Sequence, residues 1–260
     1  MYSSEERNSF FDNIIEKLEA SKLVEGIIQL GSGVVGYTDE HSDIDLMIAT
    51  SEIKDAEVTK RFAYQTFNDF NSLYIKEKQF SEEIFLIIAI MENHLEFNVS
   101  IVPRDLLTVR SPLWKVITDK TGLVTEKMNV ENKKFKDNPE KYRLGFDISF
   151  EFVYCFLSFE KELKRNNLIY ALKMLEQMRD YTLTVQALNE KKKLHQLKAY
   201  NTLEPSFIKA YLSTYPNKIT REKLEASARQ LRELFTDTIN QNSTLSMENA
   251  LENLLEQTTV

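Results

Sequence analysis

The chain of 260 residues has a single cysteine, Cys155. One thiol excludes an internal disulfide framework and any cysteine-rich zinc centre. Histidine is nearly as scarce, since His41, His94 and His195 lie far apart and show no ligand spacing. No apolar run approaches the ~18 residues of a membrane span, so no membrane partner is expected. The opening stretch MYSSEERNSFFDNIIEKLEA is charged and lacks the apolar segment of a secretory leader, which makes the cytoplasm the expected location. A basic excess is missing too: 33 Lys and Arg stand against 40 Asp and Glu, a formal charge of -7. Without a broad positive surface, no nucleic-acid partner is expected.

Glycine is also rare, and three of the six glycines fall within Leu30-Gly-Ser-Gly-Val-Val-Gly36. What the chain does have is apolar material, 42% of its residues, enough for one large domain or two modest ones. Its arrangement changes along the sequence. Ser3 with Glu6 forms a capping box ahead of Phe10, Phe11, Ile14, Ile15 and Leu18, which predicts a first amphipathic helix. Val24 to Leu30 and Ile44 to Ala49 read as short strands, and about Asp55 to Tyr74 as a helix with Phe62, Phe67 and Phe70 on one face. Ile84 to Ile90 and the alternating Leu95 to Val102 read as a hairpin ending at Pro103. From about Tyr142 onward the pattern is helical. The expected fold class is therefore α+β: a mixed β-sheet flanked by helices over residues 1–138, then an all-α bundle over residues 139–260.

The glycines spell G-x-G-x-x-G, the fingerprint of a dinucleotide-binding crossover. Context rejects that reading. The fingerprint needs a helix after the glycines and an acidic strand end about 20 residues on. Here turn residues follow Gly36, and the next strand opens by Ile44. What remains is strand, Gly31-Ser32, ten residues, and Asp43-Ile44-Asp45. Two carboxylates two residues apart on a strand project from one face, with Cα atoms roughly 6–7 Å apart. Side by side they repel unless a cation joins them. A solvated strand mouth is the plainer reading of an isolated D-x-D, but coupling to a Gly-Ser turn makes metal-assisted phosphoryl chemistry the better one.

Gly31-Ser32 followed ten residues later by Asp43-Ile44-Asp45-Leu46 resembles the signature of the polymerase-β-type nucleotidyltransferase superfamily. With the hairpin, the segment Thr118 to Gly122 and the helical tail, the layout is similar to bacterial nucleotidyltransferases that modify lincosamide and aminoglycoside antibiotics. The resemblance implies a cytoplasmic enzyme moving a nucleoside monophosphate, usually AMP from ATP, to a hydroxyl of a small molecule, with pyrophosphate released. It implies Mg2+ held by Asp43 and Asp45, nucleotide phosphates placed by Gly31 and Ser32, and a helical substrate-binding domain. A monomer or homodimer is expected, and antibiotic resistance is the implied role.

The family's third acid aligns with Asn98, which cannot accept a proton from a hydroxyl. Glu96, on the same strand face, takes the expected role of general base. Two rivals follow: an antitoxin-like enzyme that modifies a protein partner, and a nucleotide-binding module impaired by Asn98. Cys155, Trp114 and Tyr154 read as packing residues, the run Lys191 to Lys193 as a solvated helix end, and His94 as an exposed or structural turn residue.

Overall fold

In the computed structural model the described residues are 2–37, 41–138, 142, 144–192 and 200–258. Pro139, Lys193 and His195 lie outside them. The chain divides into two compact units, Met1–Lys141 and Tyr142–Val260.

The first unit opens with α1 (Ser4–Glu19), whose capping box is formed in both directions: Ser3 Oγ accepts from the Glu6 N–H and the Glu6 carboxylate accepts from the Ser3 N–H. Next come β1 (Gly26–Leu30), a 3-10 turn over Gly31–Val35, β2 (Ile44–Thr50) and α2 (Ala56–Asp69). They are followed by β3 (Ser72–Gln79), β4 (Phe85–Met91), β5 (Glu96–Pro103), β6 (Trp114–Asp119) and α3 (Leu123–Asp137). The sheet order is β3-β4-β5-β2-β1-β6. Only β2 and β5 run parallel among the paired strands; the other neighbours are antiparallel. The sheet is therefore mixed.

Period-two alternation sorts the strand residues onto two faces. Ile27, Ile44, Leu46, Ile48, Ile87, Phe97, Val99 and Ile101 pack with Ile14 and Leu18 of α1 and Ala63 and Phe67 of α2. On the opposite face Ile28, Met47, Ala49 and Val102 pack with Val124 and Met128 of α3. That second cluster covers the β1 side of the sheet. Towards β5 the same face carries Glu96, Asn98 and Ser100, all half-buried.

The structure corrects the expected helix from Asp55 to Tyr74. It ends at Asp69, Asn71 takes a left-handed φ of 55°, and the chain turns back as β3. The aromatic spacing through Phe70 favours a helix, and only pairing with β4 defines the strand. β3 has the charged composition of a sheet edge that avoids further pairing.

At the far end of the sheet, β1 and the end of β5 are joined through a buried carboxylate. Glu25 accepts from Arg104 Nη1 at 2.8 Å and from Thr121 Oγ1 at 2.7 Å. Its Oε2 is buried without a hydrogen bond, so this charge depends on Arg104.

The second unit contains α4 (Ile148–Lys164), α5 (Leu168–Asn189), α6 (Pro205–Ser213), α7 (Arg221–Asn240) and α8 (Asn249–Glu256). Its core holds Phe152, Phe156, Phe159, Leu175, Met178, Leu231 and Phe235. Arg179 is fully buried: it donates to Thr214 Oγ1 and to the Thr214 carbonyl, pairs with Glu176, and lies over the Tyr215 ring. Cys155 is a core residue, and burial, with a smaller contribution from Glu151, pushes its thiol up to about 11. It is thus no nucleophile near neutral pH. Among the described residues, no helix is long and apolar enough to cross a membrane.

Arg104→Met should lower the stability of the first unit by about 3–5 kcal/mol, because it leaves a buried carboxylate unpaired. Urea unfolding followed by circular dichroism measures this. A loss below about 1 kcal/mol, the size typical of a surface pair, would contradict the assignment.

Candidate active site

The candidate site lies where β1, β2 and β5 run side by side. Register places Leu30, Asp45 and Asn98 in one row across the three strands. Partner residues in a row share a face, so Asp45 and Asn98 point to the same side of the sheet. Asp43 stands one residue before β2, again on that side, and both aspartates are half-buried. The Tyr2 hydroxyl donates to the Ser42 carbonyl at 2.9 Å, anchoring the segment that delivers Asp43.

Asn98 links the acidic groups. Its Nδ2 donates to Asp43 Oδ2 at 3.2 Å and to Glu96 Oε1 at 3.0 Å. The reverse amide orientation would set a carbonyl oxygen against two carboxylates, so chemistry determines which atom faces them. A third carboxylate here would add repulsion to a pair already close together. The amide instead bridges Asp43 and Glu96 with donated protons. The structure therefore brings Asp43, Glu96 and Asn98 into direct contact, with Asp45 in the adjacent row position.

Gly31 touches this group from the other side. It adopts φ +67°, and a Cβ built on it would lie 2.7 Å from Asp45 Oδ2. Only glycine combines that backbone with that approach. The Gly31 N–H is engaged, donating to the Leu113 carbonyl at 3.2 Å. Its amide is thus part of the scaffold, and its missing side chain is what makes room for Asp45. Ser32 follows at the first turn of the 3-10 segment, half-buried.

Three residues supporting the turn escape the sequence reading. Tyr37, at φ 44°, ends the turn with its ring against the Arg7 guanidinium, 3.9 Å from the centroid. Its hydroxyl accepts from Gln29 Nε2 at 3.4 Å. Burial raises the Tyr37 pKa, with smaller upward contributions from Asp45 and Asp43 and downward ones from the Gln29 bond and Arg7. A Cβ on Gly33 would collide with the Gln29 amide and meet the Tyr37 ring at 2.9 Å, so Gly33 serves close packing. One signal was legible: Arg7 occupies the buried stripe of α1 with Ile14, Ile15 and Leu18, an unusual place for a charge.

Of the other residues singled out, Trp114 pairs with Leu30 and so extends the row of Asp45 and Asn98 across β6. Its Nε1 donates to Asn132. Tyr154 is exposed on α4, stacked on Phe150. His94 is an exposed turn residue at φ 69°. Lys192 pairs with Glu190 at the end of α5. Asp119 closes β6: burial opposes its ionisation, but bonds from Thr125, Gly122 and Thr121 outweigh it and lower its pKa.

Among the described residues, no three His, Cys, Asp or Glu side chains form a metal-binding group. The third position is an amide. The donors present are two half-buried carboxylates at i and i+2, and Gly31 leaves Asp45 room beside the turn. Hard oxygens of this kind suit Mg2+, which keeps waters and substrate phosphates and needs only one or two protein carboxylates. The donor set fits that ion.

No family model matches the sequence, and no curated protein matches it. Among solved structures the chain is similar to an aminoglycoside 6-adenyltransferase from Bacillus subtilis, with a TM-score of 0.43 and 12% identity over 98% of this chain and 97% of that one. It is also similar to a nucleotidyltransferase-like protein from Exiguobacterium sibiricum, with a TM-score of 0.43 and 11% identity over 90% of this chain and 76% of that one. A third likeness is to terminal uridylyl transferase 4 from Trypanosoma brucei, with a TM-score of 0.31 and 10% identity over 63% of this chain and 46% of that one.

Gly31→Ala and Gly36→Ala separate strain from contact. Both residues have positive φ, but nothing lies within 4 Å of a Cβ at Gly36. Each should cost about 1–2 kcal/mol in backbone strain. Gly31→Ala should lose measurably more in thermal or urea unfolding, because Asp45 must move. Equal losses would show that Gly31 is kept for its backbone alone.

Proposed function

We propose that the chain is a nucleotidyltransferase of the polymerase-β type. In this reading it moves a nucleoside monophosphate, AMP from ATP, to a hydroxyl of a small molecule and releases pyrophosphate. The observation that carries it is the row Leu30-Asp45-Asn98 with Gly31 packed against Asp45. It sets a glycine-serine turn directly against a pair of carboxylates, the two parts that phosphoryl transfer requires at one place.

Asp43 and Asp45 would hold Mg2+, which when bound supplies charge neutralisation for the triphosphate. Ser32 offers its hydroxyl to a phosphate oxygen, and Gly31 keeps the approach to Asp45 clear. The acceptor oxygen attacks the α-phosphorus while the bond from that phosphorus to the bridging oxygen breaks. Pyrophosphate carries away the bridging oxygen. The acceptor's proton passes to Glu96, whose Oε1 is already oriented by Asn98. That bond fixes the carboxylate and leaves Oε2 for the substrate. Asn98 also steadies Asp43, so this chain uses the third position to place two acids rather than to supply one. Substrate is a nucleoside triphosphate with a small hydroxylated acceptor, and antibiotics of the aminoglycoside or lincosamide type belong to the first set to test.

The specific geometry of Asn98 supports one second reading, a module that binds nucleotide without turnover. A pyrophosphate-release screen over the four nucleotides and hydroxylated acceptors, with and without Mg2+, separates the two. Release that requires both metal and acceptor supports the enzyme; binding without release in every combination would replace it with the module.

Glu96→Gln should reduce turnover by roughly 10²–10⁴-fold with nucleotide affinity nearly unchanged. Asn98→Asp should not rescue that variant, because the amide's two donated bonds are lost. A large rate gain from Asn98→Asp in the parent chain, with no loss from Glu96→Gln, would contradict this division of roles.

A further inference from the structure

The rows that contain the candidate catalytic groups continue across the sheet. Asn98 pairs with Ile88 and Ile88 with Lys76; Glu96 pairs with Ile90 and Ile90 with Tyr74; Ser100 pairs with Leu86 and Leu86 with Lys78. Residues in each row share a face. Next to the acids, this face therefore holds three half-buried aliphatic side chains, then an edge of Tyr74, Lys76 and Lys78, all exposed. The intervening residues confirm the sidedness. Ile75 packs on the opposite cluster under α1 and α2, and Glu77 pairs with Lys60 of α2 at 3.1 Å. Lys76 and Lys78 face the other way, and among the described residues neither makes an ion pair.

The Gly31-Ser32 turn lies on the β1 side of the carboxylates, and Glu96 on the β5 side. An acceptor delivering its hydroxyl to Glu96 then lies over β4 and β3. We infer that this face is the acceptor subsite, and that its occupant is a small hydroxylated molecule with an apolar or planar middle and a phosphate or carboxylate held by Lys76 and Lys78. This rests on the nucleotidyltransferase reading. Two strand spacings put Lys76 about 10 Å from Asn98, the scale of one small molecule. Two lysines suit one anionic group, and the chain's net charge of -7 disfavours a polyanion. A polycation would meet like charge at this edge, which narrows the proposed acceptors away from amine-rich antibiotics and towards anionic molecules.

Matched probes test it: pyridoxine against pyridoxine 5′-phosphate, and riboflavin against flavin mononucleotide, with kanamycin as the cation and a short RNA as the polyanion. Binding is measured by calorimetry with Mg2+ and a non-hydrolysable ATP analogue present, and again without them. The phosphorylated member of at least one pair should bind about tenfold more tightly than its neutral partner, through charge-assisted bonds to the two lysines. Lys76→Glu with Lys78→Glu should remove that difference, Lys76→Gln with Lys78→Gln should reduce it, and affinity for the ATP analogue should stay the same. Equal binding within every pair, a difference that survives charge reversal, or preferential binding of kanamycin or RNA would overturn the subsite. Failure of the ATP analogue to bind would instead count against the nucleotidyltransferase reading, since the pairwise comparison without nucleotide reads the lysines independently.

Discussion

The site depends on one parallel pairing. β2 and β5 are distant in sequence, and their register sets Asp45 beside Asn98 and Ile44 beside Phe97. A slip of one residue would turn Asp45 towards the core and Ile44 towards solvent. Burial resists that slip strongly, since Ile44, Leu46, Ile48, Phe97 and Val99 are all essentially inaccessible and pack on α1 and α2. The apolar face thus holds the polar face in register, and core packing is what positions the acids.

Charge placement follows the same division. The acids gather at one end of the sheet, near the Gly31 turn, where side chains are half-buried and can meet solvent or a cation. At the opposite end a carboxylate is fully buried, but Glu25 is matched there by Arg104 and Thr121. The buried charge is neutralised within the fold, whereas the half-buried Asp43 accepts a hydrogen bond from the Asn98 amide. Asn98 tempers the repulsion between Asp43 and Glu96 by donating to both. Support for the turn comes from underneath, where Arg7, Tyr37 and Gln29 close around Gly33.

Much of this was legible in the sequence, for identifiable reasons. The capping box at Ser3 and Glu6, the alternation from Leu95 to Val102 and the helical periodicity after Tyr142 are local patterns, and local patterns survive folding. The Gly31-Ser32 to Asp43-Ile44-Asp45 spacing was legible because turn and carboxylates sit on consecutive strands. The contacts of Asn98 were not, because they depend on β2 meeting β5 across more than fifty residues. β3 was missed because its edge position gives it a charged composition, and the aromatic spacing before it continues the helical rhythm. Arg7 and Tyr37 were missed because their partners are brought together only by tertiary packing.

The central claim is that Asp43 and Asp45 together form the metal-dependent half of a nucleotide site. Titration calorimetry of ATP into the protein, with and without Mg2+, tests it most directly. The account predicts that tight binding requires Mg2+ in the parent chain and that Asp45→Asn, which keeps side-chain volume, abolishes this metal dependence while the folded state persists by circular dichroism. ATP binding of equal strength with and without Mg2+, or a metal dependence unchanged by Asp45→Asn, would contradict it.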